Sequence, residues 1–276
     1  MDDRKTVFWC EDTVDGIFTA VYEAWASRLG LANVTVQTRA GQNMSLFASY
    51  RQVETDHEKA ARVAETIRRN LGWEDYQVIY QAALADDPKK GSAIFATLVL
   101  GLAVLKKKNV TRNLQEPAVM KTFELSRRVE NEAHRYRMFV RFRELEGSQR
   151  DSLGQDGLEV AGASSSLMFS EIEPENRILA ALGDHFADRF PMMNFAIYDR
   201  THRECLVHPA GKRWAVLEDM ELDEDLICRY SRQEQEFSRL WKGFVKSIAI
   251  EERRNPRCQM NFMPKKYWKH MTEHEL

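Results

Sequence analysis

The chain is short of almost every feature that would mark a membrane, secreted or cluster-bearing protein. Its four cysteines, Cys10, Cys205, Cys228 and Cys258, stand far apart with no CxxC pair. That excludes a compact zinc-ribbon or iron–sulfur signature and fits free thiols in a reducing cytosol. A run of about 18 apolar residues, the length a membrane span needs, is missing. The longest uncharged stretch, Gly91 to Leu105, lies between Lys89-Lys90 and Lys106-Lys107-Lys108 and reads as a buried core helix. The amino end, Met1-Asp2-Asp3-Arg4-Lys5, begins acidic and has no signal-peptide pattern. No internal repeat is present. Excess positive charge is missing as well: 40 Lys and Arg against 42 Asp and Glu give a net charge of −2. A protein that coats nucleic acid with its whole surface is therefore excluded, though a local basic patch is not. These absences predict a cytoplasmic globular protein with no membrane association. Its 276 residues give room for one large domain or two small ones.

What the chain does have is concentrated in Glu130 to Arg143. Arg135, Arg137, Phe139, Arg141 and Arg143 share one parity there, and Tyr136, Met138, Val140 and Phe142 share the other. Side chains alternate between the two faces of a strand, so this pattern predicts one apolar face and one face with four guanidinium groups around Phe139. Such a face suits phosphates and a stacked base. Glu171 and Glu173 offer a structural alternative as cross-strand partners of Arg135 or Arg137. Two carboxylates leave part of that positive charge unmatched.

Periodicity organises the rest into two lobes, 1–128 and 129–276. In the first, Thr6 to Cys10 reads as one short strand. Helices follow at about Asp15–Leu29, Thr55–Leu71, after Asp87-Pro88, and from Pro117 to about His134. The second lobe is predicted to hold the arginine strand, a long hairpin loop at 146–166, a return strand Leu167–Ile172, and a helix from Glu173-Pro174 to Phe190. Two more strands, Phe195–Tyr198 and Cys205–Val207, precede a long helix from about Asp223 to Ile250 and an irregular tail, 251–276. The predicted class is α+β: a helical N-terminal lobe with one short strand, then an antiparallel sheet covered by helices.

Two further groups carry chemistry. His134, one turn after Glu130, and His185, with Asp188 and Arg189 a turn on, could form a general base with its orienting carboxylate. Each histidine could equally cap or bridge elements, and their wide spacing is a weak metal signal, so no metal or cofactor is assigned. In the tail, Arg253, Arg254, Arg257, Lys265, Lys266 and Lys269 alternate with Phe262, Tyr267 and Trp268. Basic and aromatic residues mixed in this way suit single-stranded or flipped-base substrates. Equally, the aromatics could dock into the core and leave the lysines in water. Lys106-Lys107-Lys108 with Arg112 reads as a solvated helix end, and Asp219 to Asp225 as an acidic helix start.

Several segments together resemble a bacterial family of uncharacterised proteins associated with DNA metabolism and DNA repair. They are Phe8-Trp9-Cys10 with Asp15 to Ala24; Glu132 to Phe142; Ile172 to Asn176; His185 to Phe190; Ile197-Tyr198-Asp199; and, in the tail, Leu240-Trp241-Lys242, Ile250 to Pro256, Gln259 and Met263 to Trp268. The resemblance spans essentially the whole chain. It implies a context: members of that family are encoded beside a radical-SAM protein or fused to a uracil-DNA-glycosylase-like domain. This chain has none of the glycosylase motifs or cluster cysteines, so a separate radical-SAM or glycosylase-like polypeptide is the expected partner. The resulting expectation is a DNA-repair accessory protein that binds nucleic acid. An enzyme acting on DNA or nucleotides through His134, His185 and Asp188 is the first alternative. A protein-interaction scaffold docking through the 146–166 loop is the second.

Overall fold

A computed structural model describes residues 5–38, 48–145, 167–222 and 230–272. The expected hairpin loop at 146–166 lies outside the described residues, as does most of the expected first turn of the last long helix. The chain divides into two compact units, Met1–Glu132 with Glu175–Arg177, and Ala133–Pro174 with Ile178–Leu276. The fold class is α+β, as expected from the sequence. Among the described residues, no helix is long and apolar enough to cross a membrane.

The first unit is not a helical lobe with a single strand. Three parallel strands, β1 (Lys5–Trp9), β2 (Val34–Gln37) and β3 (Ala48–Gln52), run in the order β2-β1-β3. Central β1 buries Val7 and Phe8 and announces itself in the sequence. The other two do not: β2 has four residues, and β3, Ala-Ser-Tyr-Arg-Gln, is a polar edge strand with no buried residue. Helix α1 (Val14–Ala26) makes the crossover that the parallel pair β1–β2 requires. Thr13 caps it, its Oγ1 accepting from the Gly16 amide at 3.0 Å.

Helix α2 (His57–Asn70) is capped by the Asp56 carboxylate and buries Ala60, Val63, Ala64 and Ile67 at helical spacing. Gly72, at φ +103°, ends that run and starts α3 (Trp73–Ala83), which the sequence reading missed. Helix α4 (Lys90–Val99) packs close to β2: a Cβ at Gly91 would lie 2.9 Å from the Val36 carbonyl oxygen. The chain then widens into a π-helical turn, Leu100–Leu105, and stops at Lys106 in a left-handed conformation, φ +50°.

Helix α5 (Pro117–Phe139) starts with proline at its first position, where the missing N–H costs nothing. It runs five residues beyond the expected end at His134 and takes in half of the expected arginine strand. Val119, Thr122, Leu125, Ser126, Val129, Ala133, Tyr136 and Val140 form a buried stripe at spacings of three and four. Tyr136 and Val140 satisfy both periods, and burial along α5 decides for the helix. The four arginines therefore share no strand face.

The second unit holds a mixed five-stranded sheet in the order β4-β5-β6-β7-β8. Its strands are β4 (Arg143–Leu145), β5 (Leu167–Ile172), β6 (Phe195–Asp199), β7 (Glu204–His208) and β8 (Ala215–Leu217). Only β5 and β6 pair in parallel; the expectation of a wholly antiparallel sheet fails there because α6 (Leu179–Arg189) makes a crossover between them. Phe169, Ala196, Tyr198 and Cys205 form one buried cluster on the sheet. Phe142 packs its edge against Phe186 of α6 and Phe195 of β6, at centroid distances of 5.1 and 5.5 Å. Helix α7 (Arg232–Ile248) and the short α8 (Pro256–Phe262) follow. The apolar stripe of α7 is real but open to solvent, with Phe237 64% and Leu240 67% exposed and Phe244 and Ile248 also exposed.

Candidate functional site at the carboxyl ends of β5 and β6

Parallel strands deliver their carboxyl ends to the same edge of a sheet, where α/β proteins commonly build sites. In the second unit, β5 ends in Glu171-Ile172-Glu173 and β6 ends in Asp199-Arg200, in register, with Ile172 opposite Asp199. The Arg200 amide donates to the Ile172 carbonyl at 3.0 Å, and its guanidinium pairs with the Glu171 carboxylate. The tail reaches the same corner. Lys269 pairs with Glu173, and His270 Nε2 lies 3.6 Å from Glu173 Oε1. Tyr267, 3% exposed, sets its ring edge against Tyr136 at 5.0 Å and lies beside Phe139 at 5.0 Å.

Cations and carboxylates face each other at this corner, Arg200 against Glu171 and Lys269 against Glu173. Burial pushes the His270 pKa below its ordinary 6.5, and Lys269, Arg200 and Arg143 push it further down against the pull of Glu173. His270 Nε2 has no hydrogen-bond partner among the described residues. Glu171, Glu173 and His270 do bring three donor atoms within 4.8 Å of one another. Both carboxylates already face cations, however, so a divalent metal would have to displace Arg200 and Lys269, and the donor set does not fit one. The adjoining cavity between Tyr267, Phe139, Glu171 and His270 measures about 10 Å³. That holds one water molecule and excludes a buried substrate.

A second pairing lies in the turn between β6 and β7. Asp199 is fully buried and accepts from the amides of Thr201 at 2.9 Å and His202 at 3.1 Å. Its other oxygen lies 2.6 Å from His202 Nδ1. A carboxylate in that position accepts from a protonated Nδ1 and so orients the imidazole.

The residues singled out from sequence have scattered. Arg135 is exposed and makes no side-chain hydrogen bond among the described residues. Arg137 donates to the Ala181 carbonyl at 3.2 Å, and Arg141 closes the end of α5 through the carbonyls of Met138 and Val140 at 3.0 and 3.2 Å. Arg143 donates to the Tyr230 hydroxyl at 3.2 Å and lies over that ring. Phe139, expected to stack on a base, packs at a tilt against Tyr267 instead, with an interplanar angle of 41°. The expected partners Glu171 and Glu173 turn to Arg200 and Lys269.

His134 is exposed, while His185 rests on Phe186 with ring centroids 4.9 Å apart. Burial, then Arg137 and Arg189, lower the His185 pKa against Asp188. No hydrogen bond joins His134, His185 and Asp188 among the described residues. In the tail, Arg253, Arg254, Lys265 and Lys266 are exposed, and Trp268 donates from Nε1 to the Met263 carbonyl at 3.0 Å. Sequence reasoning missed the Asp199–His202 pair. Its available signal was an Asp three residues before a His between two apolar strands, the pattern of an aspartate-capped turn. Arg200 and His270 were missed for want of any local pattern.

Residues 88–273, more than half of the chain, match a family model described as Domain of unknown function (DUF4130). The matched stretch contains the whole corner at β5, β6 and the tail. No curated protein matches the chain.

Proposed function

The chain belongs to the DUF4130 family, and we propose that it holds nucleic acid on the second unit, using the basic tail as the contact surface. One observation carries this reading. Between residues 253 and 272 the chain has six Lys and Arg residues and no Asp or Glu. Tyr267 anchors the segment, while Arg253, Arg254, Arg257, Lys265, Lys266 and Lys269 all remain on the surface. Phe262, 78% exposed, supplies a ring among them. Guanidinium and ammonium groups neutralise phosphates, and an exposed ring offers a base a stacking partner. On this reading the protein is a cytoplasmic DNA-repair accessory whose catalytic partner, radical-SAM or glycosylase-like, is a separate polypeptide. Replacing Lys265 and Lys266 with Gln should weaken binding to single-stranded DNA and flatten the plot of log K against log salt by about 1.4. A folded double variant with unchanged affinity and slope would overturn the proposal.

The Asp199–His202 pair favours a second reading, acid–base chemistry on the bound nucleic acid. The 2.6 Å contact is the geometry of a general base with its orienting carboxylate. His202→Ala should then abolish turnover of a DNA substrate while leaving DNA affinity within about twofold. Turnover that survives this change excludes the pair from catalysis.

A further inference from the structure

The first unit carries a cavity of about 760 Å³ that the nucleic-acid reading leaves unused. Its size lies within the range of small-molecule pockets, about 300–1,000 Å³. Helix α1 contributes Val21, Tyr22 and Trp25, helix α2 contributes Val63 and its C-cap Leu71 follows, and the π-helical turn closes the third side at Gly101 and Leu102. Three cations stand at the lining: Arg62 and Arg69 from α2, and Lys106 from the end of the π turn. Among the described residues, no Asp or Glu lines the cavity. Arg62 reaches Glu58 at 3.9 Å, whereas Arg69 and Lys106 make no ion pair or hydrogen bond among the described residues.

Two local features hold this arrangement in place. A π-helical turn is a rare element that recurs at functional sites, and this one brings Gly101 against Leu71, where a Cβ would sit 3.1 Å from a Leu71 methyl. Lys106 holds a left-handed conformation that glycine or asparagine would adopt at lower cost. A lysine at that position puts a cationic residue in the lining of the cavity.

We propose that the cavity binds a nucleoside diphosphate. An apolar, aromatic wall with separate cations and no carboxylate is complementary to a flat, weakly polar body carrying more than one negative charge. Arg62 and Arg69 stand seven residues apart on α2, about 10 Å along its axis, so they are spaced for an extended phosphate chain rather than for a single carboxylate. Trp25 is 36% exposed at the rim, where its ring can stack on a base. The side-chain amide of Asn70, also in the lining, presents a donor and an acceptor to a base edge. This inference is independent of the tail: the cavity belongs to the first unit and shares no residue with the proposed nucleic-acid surface.

The experiment is a calorimetric titration of the full chain with ADP, AMP, adenosine, pyrophosphate and laurate. Lys265 and Lys266 are replaced by Gln in this background, so that tail binding does not contribute. ADP should bind more tightly than AMP, and both more tightly than adenosine or pyrophosphate. Arg69→Gln and Lys106→Gln should each weaken ADP by about tenfold, and Trp25→Ala by a similar factor, with circular dichroism and Tm confirming folded variants. Absence of ADP binding at millimolar concentration overturns the proposal. So does equal affinity for ADP and adenosine, ADP affinity unchanged in the folded Arg69→Gln, Lys106→Gln double variant, or binding of laurate but not ADP.

Discussion

Glu132 shows how one buried side chain can organise a distant piece of sequence. Its carboxylate accepts from the Glu175 amide at 3.1 Å, the Asn176 amide at 2.9 Å and the Asn176 side-chain amide at 2.6 Å. Asn176 Oδ1 in turn accepts from the Asp86 amide at 3.0 Å, and the Arg177 amide donates to the Leu84 carbonyl at 3.1 Å. Glu132→Gln turns one of those acceptors into a donor facing N–H groups. It should cost about 2–3 kcal/mol in chemical denaturation, with the m-value unchanged. Glu132 and Asn176 both lie within the stretch that matches the DUF4130 model, and here they serve the architecture. Lys90, read from sequence as a flank of the apolar helix, is 2% exposed and reaches Asp12 at 2.5 Å. Burial lowers its pKa, and Asp12 opposes that shift. Nothing in the local sequence distinguishes a lysine of this kind from its exposed neighbour Lys89.

At the scale of elements, legibility followed the strength of the buried pattern. Strand β5 matches its expected limits, Leu167–Ile172, and β6 and β7 lie within a residue of theirs, because each is a short apolar run bounded by turn residues. Helix α6 begins later than expected, at Leu179, since the residues after Glu173-Pro174 are committed to hydrogen bonds with Glu132 and Leu84. The candidate site was less legible than the strands that carry it. Alternation at Arg135 to Arg143 is a two-residue signal, and a 23-residue helix with a continuous buried stripe outweighs it. Packing of α6 onto the sheet gives a test at this scale. A Cβ at Gly183 would fall 2.6 Å from the Trp214 indole and 3.0 Å from Leu206. Gly183→Ala gains about 1 kcal/mol in helix propensity but forces the indole away from its 3.0 Å bond to Asp184. Overpacking of this kind costs about 1–3 kcal/mol. A lower Tm is therefore expected despite the better helix former.

For the molecule as a whole, two histidines contribute to the acid side of the stability curve. His185 and His270 both titrate below the ordinary 6.5 in the folded protein, burial being the largest cause in each. Between those folded values and 6.5 the unfolded chain binds more protons, so stability rises with pH. Their contribution is complete above 6.5 and is lost as pH falls toward the folded values. Tm should drop between pH 7.5 and pH 5.5, and His270→Gln should reduce that drop; an unchanged profile would rule out His270 as a source. The net charge of −2 hides the fact that cations gather in the tail, an asymmetry of the kind that the proposed nucleic-acid contact requires.

Helix α7 has a consequence of another kind. Seventeen residues with Phe237, Leu240, Phe244 and Ile248 in water along one side and Arg239, Lys242 and Lys246 on the helix beside them have the build of a surfactant. Such a helix gathers at any boundary between water and a less polar phase, whether an air bubble, a plastic wall or a detergent micelle. Dilute solutions of the isolated chain will therefore lose protein to the walls of the vessel, and a little mild detergent will bring it back.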